Sequence, residues 1–153
     1  MRNKRKLLLE QLDQKINPFL HTKKITVPDR GWINTIRTTL NMTMAQLGDK
    51  LNITRQGVRK IEESEANGTI TINAMKEVAA ALDFQLVYSL VPKNGTIDDL
   101  VEKKATALAR KIVLRTHQNM KLENQGIDDD KIEETIKDLA AEIKREIRKS
   151  LWD

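Results

Sequence analysis

Residues 43–62, TMAQLGDKLNITRQGVRKIE, constrain this chain most, because they read as two short helices joined by a tight turn. Thr43 is suited to cap the first helix, whose Met44, Leu47 and Leu51 recur at helical spacing and give it one apolar side. Asn52 tolerates the left-handed backbone that such a turn needs, and Ile53 plugs the corner. The Thr54 hydroxyl then caps a second helix with Val58 and Ile61 buried. Its other face presents Arg55, Gln56, Arg59 and Lys60, with Gly57 beside them. Long hydrogen-bonding side chains at that spacing suit base edges and phosphates in a DNA major groove.

The arrangement resembles the lambda-repressor-like, or Xre, helix-turn-helix. Gly48 stands where that family has a small residue inside its first helix, Asn52 at the turn, Thr54 at the cap, Val58 and Ile61 at the buried pair, and Glu62 at the terminal acid. The resemblance implies that Thr43, Thr54, Arg55, Gln56, Gly57, Arg59 and Lys60 form the DNA-facing set. Met44 departs from the pattern, since many members carry there a Gln that touches phosphate. Gly57 costs its helix roughly 1 kcal/mol against Ala, so it either permits close approach to DNA or is simply tolerated.

Composition is compatible with this reading. With 27 Lys+Arg against 22 Asp+Glu, the net charge of +5 favours an anionic partner, although many basic proteins bind no nucleic acid. The absence of cysteine excludes disulfides and thiolate metal sites and fits a reducing compartment. No apolar run approaches the roughly 20 residues of a membrane span. The basic start MRNKRKLLLE has too short an apolar part, Leu7 to Leu9, for a signal peptide, so the expected location is cytoplasmic.

Along the chain, residues 4–16 place Leu8, Leu9, Leu12 and Ile16 on one helical stripe that Pro18 ends. The stripe packs on its own domain or on a second copy, and Arg2, Lys4, Arg5 and Lys6 are candidate phosphate contacts on a basic arm. Residues 17–28 read as a linker. Asp29 is placed to cap a helix that buries Trp32, Ile33, Ile36 and Leu40 and projects Arg37 outward as a further phosphate contact. After the second helix of the motif, residues 64–68 read as a polar loop. Thr71 caps another helix through Ile72, Met75, Val78, Ala79 and Leu82.

Residues 84–92, FQLVYSLVP, read as one strand in an otherwise helical chain, with Leu86, Val87, Tyr88 and Leu90 as its dimerisation residues. A lone strand leaves its edges unsatisfied. Pairing with the same strand of a second subunit is the economical answer, and it would set two recognition helices about 34 Å apart; the alternative is pairing with a segment such as the linker.

The helix-turn-helix followed by EESEANGTITINAMKEVAAALDFQLVYSLVPK is also similar to HipB-type antitoxins, which dimerise through such a strand. More closely, GWINTIRTTLNMT, IEESEANGTIT and QLVYSLVP resemble the mobile mystery protein A family, whose members are encoded beside a Fic-domain protein. That resemblance covers residues 28–115 and implies an antitoxin-like transcriptional regulator with a Fic-type partner. Small Fic partners often block the nucleotide site with a Ser/Thr-x-x-x-Glu-Gly/Asn helix. Here the one Glu-Asn pair is Glu123–Asn124, with Asn119 at the earlier position, so the chain departs from that device.

The last third reads as a helical hairpin. Thr96 caps a helix with Ile97, Leu100, Val101, Leu108, Ile112 and Val113, and Gly126 breaks the pattern. Asp130 and Glu133 start a second helix whose stripe of Ile132, Ile136, Leu139, Ile143 and Ile147 ends near Trp152. The acids of residues 128–130 lack calcium-loop spacing, and His21 and His117 have no companions, so no metal and no cofactor is expected. No nucleophile, base and orienting group assemble, which argues against an enzyme. The expected architecture is mainly α: an N-terminal helix and linker over residues 1–27, a helix-turn-helix domain ending in a strand over 28–93, and a hairpin over 94–153.

Overall fold

A computed structural model describes residues 4–122 and 129–153. Arg2, Glu123, Asn124, Gly126 and Asp128 lie outside the described residues, as does the side chain of Asn119. Seven α-helices are described: α1 (Lys4–Ile16), α2 (Trp32–Thr39), α3 (Met44–Leu51), α4 (Arg55–Asn67), α5 (Ile72–Ala81), α6 (Ile97–Leu122) and α7 (Asp129–Glu146). They divide between two compact units, Lys24–Ser89 and Met1–Lys23 with Leu90–Asp153.

In the Lys24–Ser89 unit, α2 to α5 close around Ile33, Leu47, Val58, Val78 and Leu82, with Ile36, Met42, Met44, Leu51, Ile61, Ile70 and Met75 packed against them. Each apolar stripe faces this one centre, which is what turns amphipathic segments into a domain. Met44 spends its side chain here, consistent with its replacing a polar family residue. Several expectations are corrected. Trp32 is not core: it is 39% exposed at the start of α2. Leu40 and Ile53 are exposed as well, so the corner of the turn is not plugged by a buried isoleucine. Residues 64–67 continue α4, which ends only where Gly68 takes φ 83 and turns the chain back.

Asp29 does not cap α2. Gly31 holds the N-cap position at φ 86 without a side chain to offer, and the carboxylate of Glu65 takes over from across the domain. It accepts the N–H of Trp32 and that of Ile33, each at 2.8 Å. A Cβ on Gly31 would lie 2.6 Å from the Glu65 carboxyl carbon, so glycine is required both by the backbone angle and by the approaching acid.

Residues 84–92 form neither helix nor paired strand. Phe84 closes the end of α5 by donating its N–H to the Ala79 carbonyl. Gln85 to Tyr88 make no hydrogen bond among the described residues, and Val87, Tyr88 and Leu90 are exposed. Among the described residues the expected strand is therefore not formed.

In the other unit α6 and α7 run antiparallel. Arg110 pairs with Glu133 at 2.9 Å near one end, and Lys144 pairs with Asp98 at 2.9 Å near the other. Their shared core is Val101, Ala105, Ala109, Ile132, Ile136, Ala140, Ile143 and Leu151. The two alanines on α6, both fully buried, allow close approach. Leu100 and Ile112, expected in the stripe, are exposed. Leu151, not Trp152, closes the far end, within the 3-10 turn Lys149–Trp152. Within the expected linker, Asn17–Lys24 form a 3-10 helix.

α1 belongs to this unit and packs against α6 and α7. Leu9, Asp13 and Ile16 are its half-buried residues, whereas Leu8 and Leu12, expected on the packed stripe, are exposed. Asp13 explains the rotation. Its carboxylate accepts the N–H of Ile97 at 2.8 Å and of Asp98 at 3.1 Å, capping α6 from another helix. Thr96 adds the expected local cap, its hydroxyl accepting from Asp99 while the Asp99 carboxylate accepts from the Thr96 N–H.

Candidate nucleic-acid interface

The motif begins with a reciprocal cap. The Thr43 hydroxyl accepts the Gln46 N–H at 3.1 Å, and the Gln46 side chain accepts the Thr43 N–H at 2.9 Å. Helix α3 ends at Asn52, which adopts the left-handed conformation at φ 56 and ψ 40. Gly48 is buried. A Cβ there would lie 2.7 Å from the Ile53 carbonyl oxygen, so the small residue serves the turn directly, letting the Ile53 N–H reach the Gly48 carbonyl at 2.9 Å. Thr54 then caps α4, its hydroxyl accepting from Gly57 at 3.0 Å.

These constraints fix which way α4 faces. Val58 and Glu62 are buried and Ile61 is half-buried, whereas Arg55, Gln56, Arg59 and Lys60 are exposed. The side chains of Arg55, Gln56 and Lys60 make no hydrogen bond or ion pair among the described residues. Arg59 is held by Glu63 at 3.3 Å, a solvent-exposed pair worth only a few tenths of a kcal/mol and readily exchanged for phosphate. Gly57 packs on its own domain. A Cβ there would sit 3.3 Å from the Ile53 side chain and 3.4 Å from the Thr54 hydroxyl, a contact that small side-chain shifts can accommodate.

Arg37 is placed differently from expectation. It is 7% exposed, and its Nε lies 2.7 Å from Glu62 Oε1. A second guanidinium nitrogen reaches the other Glu62 oxygen at 3.3 Å, and a third reaches the Met42 carbonyl at 2.9 Å. The planar fork of Arg is what allows one side chain to satisfy these groups together. Arg37 is thus an internal brace between α2 and α4 and is not offered to phosphate. Position alone put it on the outer face of α2. Glu62, the acid of the motif, was the signal for its partner.

The basic excess does not sit in this unit. Residues 24–89 hold eight Lys and Arg against seven Asp and Glu, whereas the first 23 hold six against two. Lys4, Arg5 and Lys6 are exposed, and Arg5 donates to the Glu146 carbonyl at 2.8 Å, anchoring α1 within its own unit. The exposed face of α4 is therefore a local concentration of cationic and amide groups on a nearly balanced domain.

Asp98, Asp99 and Glu102 form the one acidic group among the described residues close enough to share a cation. Lys144 already lies among them, at 2.9 Å from Asp98 and 3.7 Å from Glu102. No described helix is long and apolar enough to cross a membrane.

Comparison with known proteins agrees with the geometry. Residues 33–88 match a family model described as helix-turn-helix, from within α2 to the segment after α5. No curated protein and no solved structure matches the chain. Residues 33–88 are accordingly a helix-turn-helix domain of the Xre type, the module of a DNA-binding regulator.

Proposed function

We propose that the protein is a sequence-specific transcriptional repressor of its own operon, acting as an antitoxin-like regulator in the cytoplasm and carrying out no catalysis. The observation that supports this reading best is the exposed face of α4. Arg55, Gln56, Arg59 and Lys60 share one side of a helix whose start is capped by Thr54 and whose rear is locked into the core by Val58 and Glu62. In this reading Gln56 and Arg55 meet base edges, Arg59 and Lys60 meet phosphates or bases, and Thr43 and Thr54 bring the ends of the two helices against the backbone. Two copies joined through residues 86–90 would place two such helices on successive half-sites of duplex DNA. Lys4 and Lys6, with Arg2 preceding them in the sequence, supply charge for phosphate contact, and Arg5 adds its charge while its side chain holds α1 to the Glu146 carbonyl.

Fluorescence anisotropy with the DNA upstream of the gene and with a scrambled duplex, each over a salt series, tests the reading. A preference for the upstream DNA that persists as salt weakens both supports base readout. Equal and steeply salt-dependent binding refutes it.

A second reading is favoured by the unit that a helix-turn-helix does not need. Between α1, α6 and α7 lies an open groove of about 1280 Å³, floored by Leu9, Val101, Ile136 and Ala140 and rimmed by Glu102, Arg110, Glu133 and Lys137. In this reading the α6–α7 hairpin holds a Fic-type toxin, and DNA binding is secondary. Co-purification of the neighbouring gene product with the full chain, lost on truncation after Lys93, tests it. Undiminished protection of cells by the truncated chain sinks it.

A further inference from the structure

Positive charge is also concentrated on α6, outside the helix-turn-helix unit. Residues 90–153 are balanced as a whole, with thirteen Lys and Arg against thirteen Asp and Glu, but the two signs are segregated. Residues 103–122 hold six Lys and Arg and no acid, whereas the rest of that stretch holds seven against thirteen. A solvated helix face ordinarily mixes the two signs, so that neighbours four residues apart can pair. Over about five turns, α6 has given up that pairing.

The geometry gathers these charges. With about 3.6 residues per turn, Lys104, Lys111 and Arg115 fall in one row, and Lys103 lies beside it. All four are exposed, and their side chains make no hydrogen bond or ion pair among the described residues. Of the described cations in this stretch, Arg110 alone is held, by Glu133 at 2.9 Å. The row cannot roll away from solvent, because Val101, Ala105 and Ala109 are buried in the core shared with α7. None of the four residues lines the groove between α1, α6 and α7, so this is a separate surface.

From Lys104 to Arg115 the row is about 16 Å long. Duplex DNA carries one negative charge per roughly 1.7 Å of its axis, so a straight row of that length meets several phosphates together. The helix-turn-helix unit has little such charge to give. It holds eight Lys and Arg against seven Asp and Glu, and Arg37 is consumed internally by Glu62. Sequence-independent affinity for DNA comes from Lys and Arg on phosphates, and α6 has both the charge and the free side chains for it.

We propose that the exposed row Lys104, Lys111 and Arg115 of α6, with Lys103 beside it, is an accessory surface that binds the phosphates of duplex DNA without reading bases. This rests on the reading of the protein as a DNA-binding regulator and adds to it a contact surface in the other unit.

The test uses the full chain. Lys104→Gln, Lys111→Gln and Arg115→Gln together should weaken binding to upstream and scrambled duplexes alike, roughly tenfold or more at low salt, and lower the salt slope by about 2–3. The preference for one duplex over the other should not change. Lys15→Gln, Lys131→Gln and Lys149→Gln together remove the same charge from exposed sites elsewhere in this unit and should have a much smaller effect. If the first variant does not fold, brief acetylation of the unaltered chain decides: excess scrambled duplex should protect Lys104 and Lys111 and leave Lys131 and Lys149 reactive. An unchanged salt slope, a loss no larger than that of the control variant, or equal acetylation with and without duplex would overturn the proposal. So would loss of a protein partner with no change on either duplex. The outcome is separate from base readout. A preference for upstream DNA with α6 unengaged defeats this proposal alone, and equal binding to both duplexes that depends on α6 defeats only the sequence-specific function.

Discussion

Glu65, three turns along α4, accepts the backbone N–H of Trp32 at 2.8 Å, and its other oxygen accepts the next N–H, that of Ile33, at 2.8 Å. A helix start has N–H groups without partners and a partial positive charge, so a carboxylate there is favourable on both counts. In this chain the cap is 33 residues away, and it ties α2 to the far end of the helix proposed to read DNA. Glu65→Ala should therefore destabilise the helix-turn-helix unit by about 2 kcal/mol, the loss of two hydrogen bonds to a charged group at one helix start. Gly31→Ala should cost at least as much, because it strains φ 86 and displaces the same carboxylate. Urea denaturation of the variants measures both, and unchanged midpoints would remove the capping role.

Arg37 and Glu62 form the buried pair of this unit, 2.7 Å apart. Arg37→Ala strands a carboxylate in the core and should cost about 3–5 kcal/mol, while replacing both partners by apolar residues of similar volume should cost far less. A double-mutant cycle on unfolding free energies measures the difference. Because Arg37 is internal, its removal should lower stability without altering the salt dependence of DNA binding in protein that remains folded.

On the exposed face of α4 the expectation differs by residue. Gln56→Ala should cost about 1–3 kcal/mol on the preferred DNA and little on scrambled DNA, as the loss of one bidentate base contact does. Lys60→Ala should weaken binding to both and reduce the salt slope by about 1, the signature of a phosphate contact. Anisotropy titrations against both duplexes separate the two.

The two glycines of the motif should also part company. Gly48→Ala drives a methyl group to within 2.7 Å of a backbone carbonyl and should destabilise by about 1–3 kcal/mol. At Gly57 the added Cβ meets the Ile53 side chain at 3.3 Å and the Thr54 hydroxyl at 3.4 Å, both side-chain atoms, and Ala favours the helix by about 1 kcal/mol, so that variant should be near neutral or stabilising. Thermal melts of the two variants check the contrast.

In the other unit, the hydrogen bond that the Lys144 ammonium donates to Asp98 raises its pKa above the ordinary lysine value, opposed by partial burial and aided by the charges of Asp98, Glu102 and Asp99. A raised lysine value means that the folded state holds the proton more tightly than the unfolded chain. The stability Lys144 contributes is thus complete below about pH 10.4, the unfolded value, and disappears as pH rises through the folded value. Melting Lys144→Met beside the unaltered chain should show a gap that is constant near neutrality and closes at alkaline pH. A gap that widened there would contradict the assignment.

Local sequence encoded the helices and most of their caps, though not the state of residues 84–92 or the length of α4. Thr43, Thr54, Thr71 and Thr96 cap the helices expected of them, Asn52 makes the left-handed turn, and the stripes of α3, α5 and α7 point inward at Leu47, Val78 and Ile136. Each of these depends on interactions within about four residues, which spacing and residue type encode directly. Partnerships between residues far apart in the chain arose on folding. Glu65 displaced Asp29 as the cap of α2, Glu62 drew Arg37 inward from an apparently outer face, and Asp13 rotated α1 so that Leu9 packs while Leu8 and Leu12 remain exposed. In each case a charged group found unsatisfied donors or an opposite charge on a distant helix. That gain depends on proximity created by folding, so no local pattern along the chain could have displayed it.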